Sequence, residues 1–325
     1  MENAMPDQNA EFRVATWNMQ GNPSGNPEKE RGLSRLCAEN DVVALQECGG
    51  LKHEQVTEML GGAPDVVVDW DSNENRVGGQ RCGAAELKRR NPQAKYVFVS
   101  REQAGHFNNN RCTVGIIAKT DRLEDLPGDE SAGVNSATGR SAVSVKYGGF
   151  VVTSFHAEAS QAATSDAHTT LTALGRAFKD QRIIMAGDFN ADLRQHAQNQ
   201  VVETGLARQI ADGDLWQPLR GGSGRRVIDG KMRSERQVQQ KWNVARLDLM
   251  NEAPLQASGS YEINRMRNHS VGYAMPEEPT HLGGDGTQRH LDGFMFKNME
   301  RPDIPAAREA SRHGSDHHPV TLKVR

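Results

Sequence analysis

The chain has 325 residues, with 42 acidic against 39 basic side chains, a formal net charge of −3 and 25% charged residues. A mean hydropathy of −0.70, with no apolar run near the roughly 20 residues of a membrane-spanning helix, excludes an integral helical membrane protein. A pI near 6.4 excludes a globally basic field, so any nucleic-acid contact has to come from a local patch.

Residues 1–11 read as a disordered tail, and Met1 to Ala10 carry acids and amides where an export signal needs a basic start and an apolar core. The chain as given therefore reads as lacking a signal peptide. Cys37, Cys48, Cys82 and Cys112 form neither a CxxC pair nor an interleaved Cys/His pattern, which argues against structural zinc. They read as buried thiols, with a disulfide or two as the alternative in a secreted protein.

Phe12 to Thr16 alternates and runs into Trp17-Asn18 as a first strand. Pro27 opens a helix through Glu39 with Leu33, Leu36 and Cys37 on one face. Asp41 to Leu45 is a buried strand ending at Gln46-Glu47, followed by a helix from Glu54 to Leu60 and a strand from Val66 to Trp70. Asp71 to Gln93 shows no clear period and reads as loop with one short helix. Strands follow at Tyr96 to Ser100, Thr113 to Lys119 and Ser141 to Val145, then a hairpin through Gly148-Gly149 into Phe150 to Phe155, which delivers His156. Asp166 to Lys179 reads as a helix with Ala167, Leu171, Leu174 and Phe178 on one face, Arg182 to Ala186 as a buried strand, and Gln195 to Thr204 as helical. The stretch 205–280 is irregular and basic, after which Arg289 to Phe296 and Val320 to Val324 return as strands. Helices between strands in both halves and a hairpin meander in the middle favour two mixed sheets packed face to face, with helices outside, in one domain over 12–325.

Five strand ends finish in residues that form strands poorly: Asn18, Glu47, His156, Asp188 with Asn190, and Asp316-His317 before the last strand. Any one of them also serves as turn chemistry. Together Glu47, Asp188, Asp316, Asn18 and Asn190 make an all-oxygen set suited to Mg²⁺ or Mn²⁺. Water attacking a phosphodiester needs a base near pH 7, and His156 and His317 are imidazoles on two sides of such a displacement.

The ordered motifs Thr16-Trp17-Asn18, Leu45-Gln46-Glu47, Ser154-Phe155-His156, Gly187-Asp188-Phe189-Asn190, Leu291-Asp292-Gly293 and Ser315-Asp316-His317 resemble the endonuclease/exonuclease/phosphatase superfamily. Within it, Ala15 to Gly21, Asn110-Arg111, Gly139-Arg140-Ser141 and His156-Ala157 are most similar to the active subunit of cytolethal distending toxins. The resemblance implies a deoxyribonuclease I-like, four-layer α/β/β/α sandwich and a Mg²⁺-dependent phosphodiesterase that nicks DNA, with Mn²⁺ as an alternative ion. It implies Glu47 as the principal metal ligand with Asn18 and Asp316 close to the ion, and Asp188 and Asn190 positioning water and phosphate. His317, oriented by Asp292, would be the general base, and His156 would contact the phosphate and stabilise or protonate the departing oxygen. Whether Asp188 or His317 takes the proton stays open. Arg111 and Arg140 match phosphate-facing arginines. Toxin delivery subunits as partners, secretion and action in a target-cell nucleus follow by resemblance alone.

The same catalytic set serves phosphoinositide phosphatases and sphingomyelinases, so phosphoinositides are the alternative substrate. Arg220 to Arg246 holds eight basic residues against Asp229 and Glu235, which suits a nucleic-acid backbone or a solvated face. Lys88-Arg89-Arg90 allows the same two readings. Deoxyribonuclease I carries an acidic partner for the residue matching His156, for which Glu86 and Glu102 are the candidates here.

Overall fold

Helix α1 (Pro27–Glu39) shows how local chemistry places the elements. Asn26 caps it, its Oδ1 accepting from Glu28 N at 3.1 Å and Lys29 N at 3.2 Å. Such a cap stabilises a helix by about 1 kcal/mol, and Glu28 and Glu30 complement the positive helix end. Leu33, Leu36 and Cys37 form its buried face, as the sequence predicts. The computed structural model describes residues 11–63, 66–101, 113–127, 133–135, 140–159, 225–228, 231–234, 272–299 and 306–325, and most of 167–191.

In chain order, β1 (Phe12–Asn18), α1 and β2 (Val42–Gln46) are followed by α2 (His53–Met59) and β3 (Val67–Asp69). Asp71 to Gln93, expected as loop with one helix, holds a hairpin of β4 (Arg76–Val77) and β5 (Gln80–Arg81) before α3 (Ala84–Arg90). Gly78 and Gly79 make that turn with φ of 62° and 85°, a conformation glycine adopts without steric cost. Next come β6 (Tyr96–Arg101), β7 (Val114–Lys119), β8 (Leu123–Glu124), β9 (Gly133–Asn135), β10 (Ser141–Tyr147), β11 (Phe150–His156) and β12 (Arg182–Asp188). Between β11 and β12, described residues 167, 170–171, 173–175 and 177 are helical. The chain continues with β13 (Arg225–Ile228), β14 (Lys231–Ser234), β15 (Gly272–Ala274), β16 (His281–Leu282), β17 (Gln288–Arg289), β18 (Asp292–Lys297), β19 (Ala307–Arg308) and β20 (Val320–Val324).

The strand expected over Arg289 to Phe296 is thus divided between β17 and β18. The ladder breaks where Leu291 N and Asp292 N both donate to Thr280 Oγ1, at 3.0 and 3.1 Å. The helix expected at Gln195 to Thr204 lies outside the described residues. So does most of the 205–280 stretch, although β13 and β14 pair antiparallel within it.

One sheet runs β19-β20-β1-β2-β7-β6-β3, the other β15-β18-β12-β11-β10-β8 with β9 paired to β10. Both are mixed, with β1/β2, β3/β6 and β11/β12 parallel. The sheets pack on each other through one apolar cluster that includes Val14, Val42, Ile116, Val143, Val152, Ile184 and Phe294. A second cluster joins Leu171, Leu174 and Phe178 to Val151, Ile183 and Met185, so a helical layer covers the β12 sheet. A third joins Leu33, Leu36 and Val56 to Trp17, Val43 and Leu45, so α1 and α2 cover the β1 sheet. This is the α/β/β/α sandwich. Cys37 and Cys82 are buried free thiols, Cys48 is buried, and Cys112 lies outside the described residues. The chain divides into two compact units, Met1–Leu193 with Ser270–Arg325, and Arg194–His269. Every described residue of the site below belongs to the first.

Candidate active site

Strand alternation builds the site. Successive side chains of a strand point to opposite faces, and the rows facing the opposite sheet read Val14-Thr16-Asn18, Val42-Ala44-Gln46, Val152-Ser154-His156, Ile184-Ala186-Asp188 and Phe296-Phe294-Asp292. Each row is apolar in the core and polar at the same end of the sandwich. Pairing register then puts His156 opposite Asp188, Asp188 opposite Asp292, and Asn18 opposite Gln46. Gly187 makes this possible, because a Cβ there would meet Phe155 O at 1.9 Å.

A buried polar bridge ties the sheets just beneath. Thr16 Oγ1 donates to Gln46 Oε1 at 3.1 Å, Gln46 Nε2 donates to Ser154 Oγ at 3.1 Å, and Ser154 Oγ donates to Leu45 O at 2.8 Å. Buried donors and acceptors left unpaired are costly, so this closed set is a floor that resists distortion.

Above it, Asp188 is the hub. Its Oδ1 accepts from Asn190 N at 2.8 Å and its Oδ2 from Asn18 Nδ2 at 2.9 Å. His156 Nε2 lies 3.6 Å and His317 Nε2 3.7 Å from that same Oδ2. His317 Nδ1 is 2.8 Å from Asp292 Oδ2, which fixes its ring. His156 Nε2 is also 3.9 Å from Glu47 Oε1. Asn190 Nδ2 donates to Ala157 O at 2.9 Å, so its amide braces the β11 end. Gln20, Glu47 and Asn190 adopt left-handed φ of 51°, 50° and 48°. Each non-glycine residue so held costs on the order of 1 kcal/mol, a strain the surrounding bonds have to offset.

The charges divide the two imidazoles. Burial lowers the His156 pKa, and Asp188 and Glu47 oppose this without reversing it. Burial also works against a charged His317, but Asp292, Asp188 and Asp316 outweigh it and raise its pKa to about 10. Burial raises Asp292 to about 6, with His317 opposing. Burial disfavours the Asp188 carboxylate too, yet His317, His156 and the bonds from Asn190 and Asn18 hold its pKa below the ordinary value. The two imidazoles beside Asp188 are thereby shifted in opposite directions.

For a divalent cation the donors are oxygen-rich. Asp316 Oδ1 is buried with no hydrogen-bond partner, while its Oδ2 accepts from Gln20 Nε2 at 2.9 Å. Both Asp316 and Glu47 bear on the buried ammonium of Lys29, so the two carboxylates share a region that holds positive charge. Glu47 and Asp316 fit such an ion. Asn18 does so as a neighbour and not as an oxygen donor: its Oδ1 accepts from Gln20 N at 3.0 Å, and its Nδ2 faces Glu47 Oε1 at 3.4 Å.

The sequence-predicted set Asn18, Glu47, His156, Asp188, Asn190, Asp292, Asp316 and His317 thus meets at one end of the sandwich. Arg140 is half-buried and near enough for its charge to lower the His156 pKa. Arg111 and Glu102 lie outside the described residues. Glu86 pairs with Arg89 and Arg90, each at 2.7 Å. Those pairs make Lys88-Arg89-Arg90 a helix end with internal neutralisation. Sequence reasoning missed Gln46, Gln20, Thr280 and His281. Gln46 carried a signal, a carboxamide inside an otherwise apolar strand; Thr280 and His281 carried none.

No curated protein matches the chain. Among solved structures, the cytolethal distending toxin of Actinobacillus actinomycetemcomitans aligns over 95% of this chain and 97% of its own, with a TM-score of 0.50 and 18% identity. That of Haemophilus ducreyi aligns over 97% and 98%, with a TM-score of 0.49 and 18% identity. At 18% identity the first of these likenesses is one of fold. The Endonuclease/Exonuclease/phosphatase family profile matches residues 15–229, a span holding Asn18, Glu47, His156, Asp188 and Asn190, and the chain belongs to this family of phosphoester hydrolases.

Proposed function

We propose that this protein is a divalent-metal-dependent phosphodiesterase that nicks DNA. The observation that carries the reading is the convergence of His156 and His317, from different parts of the chain, on Asp188 Oδ2 at 3.6 and 3.7 Å. One carboxylate between two imidazoles suits an in-line displacement, in which one side accepts a proton and the other donates.

Glu47 and Asp316 would hold the ion, with Asn18 beside them, and bound Mg²⁺ or Mn²⁺ would supply neutralisation of charge gathering on phosphoryl oxygens. Asp188 and Asn190 orient the attacking water. His156 and His317, one on each side of Asp188, serve as the base that takes its proton and the donor to the departing oxygen; the resemblance implies His317, oriented by Asp292, as the base and His156 as the donor. Arg140 and Arg111 steady the phosphate.

DNA is the proposed substrate because the motifs around Asn18, Glu47 and His156 resemble the toxin subunits, and one solved toxin shares the fold. Toxin delivery subunits as partners, secretion and action in a target-cell nucleus are proposed on the same ground. The test sets supercoiled-plasmid nicking against phosphate release from inositol lipids at matched Mg²⁺. Nicking lost in Glu47→Gln, His156→Ala and His317→Ala, with unchanged thermal melts, supports the proposal. Lipid phosphate release without nicking refutes the substrate, and full nicking by the double histidine variant refutes the catalytic assignment.

A further inference from the structure

A third imidazole faces this site. His281 lies on β16, which is tied to the loop carrying His317 by Leu282 N donating to Asp316 O at 3.0 Å and His318 N donating to Thr280 O at 2.7 Å. These bonds make an antiparallel bridge between His281 and His317, whose rings stand 4.6 Å apart. His281 Nε2 is 3.6 Å from Asp316 Oδ2, and His317 Nε2 is 3.7 Å from Asp316 Oδ1. One ligand atom from each of the three residues lies within 4.8 Å of the others.

Those separations stand somewhat above the spacing of a coordination shell. Zinc bonds of about 2.0–2.1 Å in a tetrahedron put neighbouring ligand atoms about 3.3 Å apart. Side-chain torsions close the remaining gap, because the backbone bridge already sets the two rings side by side. Two further features fit. Asp292 stands behind His317 at Nδ1, an arrangement that fixes the tautomer and raises the basicity of a ligating histidine. Asp316 Oδ1 is buried without a hydrogen-bond donor. Two imidazoles and one carboxylate select borderline transition ions over Mg²⁺, which prefers oxygen.

We propose that His281, Asp316 and His317 form a site for a transition ion of the zinc class, and that its occupation inhibits hydrolysis by withdrawing His317 Nε2 and Asp316. Binding releases the Nε2 proton of His317 to solvent. The inhibitory half rests on the reading of Asp316 and His317 as parts of a phosphodiesterase; the binding half does not.

The full chain, stripped with a chelator, is titrated with Zn²⁺ against a chromophoric chelator and with Co²⁺ followed by visible absorption. One equivalent and a tetrahedral cobalt band are expected, with zinc affinity falling at least about tenfold in His281→Ala and in Asp316→Asn, but not in His53→Ala. Removing the support in Asp292→Asn should weaken zinc by about 10–100-fold. Unchanged affinity in His281→Ala and Asp316→Asn, with native thermal melts, overturns the site. At fixed Mg²⁺, the zinc concentration that halves nicking should rise at least about tenfold in His281→Gln; equal inhibition of both proteins, or activation by zinc, overturns the inhibitory role. Zinc bound through His281 by a protein that does not nick DNA upholds the site and counts against the functional reading alone.

Discussion

Asn18 of one sheet donates through Nδ2 to Oδ2 of Asp188 in the other at 2.9 Å, across 170 residues of sequence. The bond closes the sandwich at its functional end and separates two acids, since the same nitrogen faces Glu47 at 3.4 Å. Asn18→Ala should cost about 2 kcal/mol, the usual range for a hydrogen bond to a charged group. Asn18→Asp should cost more at pH 8, because a third carboxylate replaces the donor, and the gap between the variants should narrow at pH 5. Urea unfolding at the two pH values measures both.

The imidazolium of His317 makes stability depend on pH in a defined direction. Its pKa is about 10 in the folded protein, from an ordinary value of 6.5, so the folded state holds a proton that the unfolded state has lost across that window. The stabilisation is complete below pH 6.5 and disappears as pH rises through 10. The thermal midpoint should fall from pH 7 to pH 10, and His317→Asn should flatten that fall. An equally steep decline in the variant would remove His317 as its source.

Much of this arrangement was legible in the residues, and the rest fails for physical reasons. The span of α1 follows from Pro27, the early acids and the apolar spacing, all local signals. The polar strand ends stand out because Asn, Asp and Glu interrupt apolar runs. The inter-sheet role of Gln46 does not, since a strand buried on both faces loses the alternation that would show which side chains point inward. His281 was invisible for another reason. β16 has two residues, and its position comes from pairing with β17 and with the loop carrying His317 rather than from its own sequence. The β4/β5 hairpin had its signal in Gly78-Gly79, obscured by polar, aperiodic flanks.

The polar floor gives a test by non-additivity. Gln46→Leu leaves Thr16 Oγ1 without its acceptor and should destabilise by about 1–3 kcal/mol. Adding Thr16→Val removes the unpaired hydroxyl, so the double variant should be more stable than the summed single losses. Chemical denaturation of the four proteins in the cycle gives the coupling directly, and strict additivity would show that the two groups do not depend on each other.

Gly187 admits no side chain. A methyl group would overlap Phe155 O, which belongs to the strand that carries His156. Gly187→Ala should cost about 3 kcal/mol through backbone displacement. It should also disturb the His156–Asp188 pairing, so nicking should fall further than the unfolded fraction explains. A soluble variant with native activity would contradict the crowding.

The row that pairs His156, Asp188 and Asp292 has a consequence for timing during synthesis. Its members are contributed by three strands, and the ring that completes it, His317, belongs to the loop before β20. A ribosome-bound chain that has released only the first two hundred residues already owns Glu47, His156 and Asp188, but neither Asp292 nor His317. Such an intermediate lacks Asp292 and its bond to His317, and the set around Asp188 is completed only when the closing strand β20 pairs with β1.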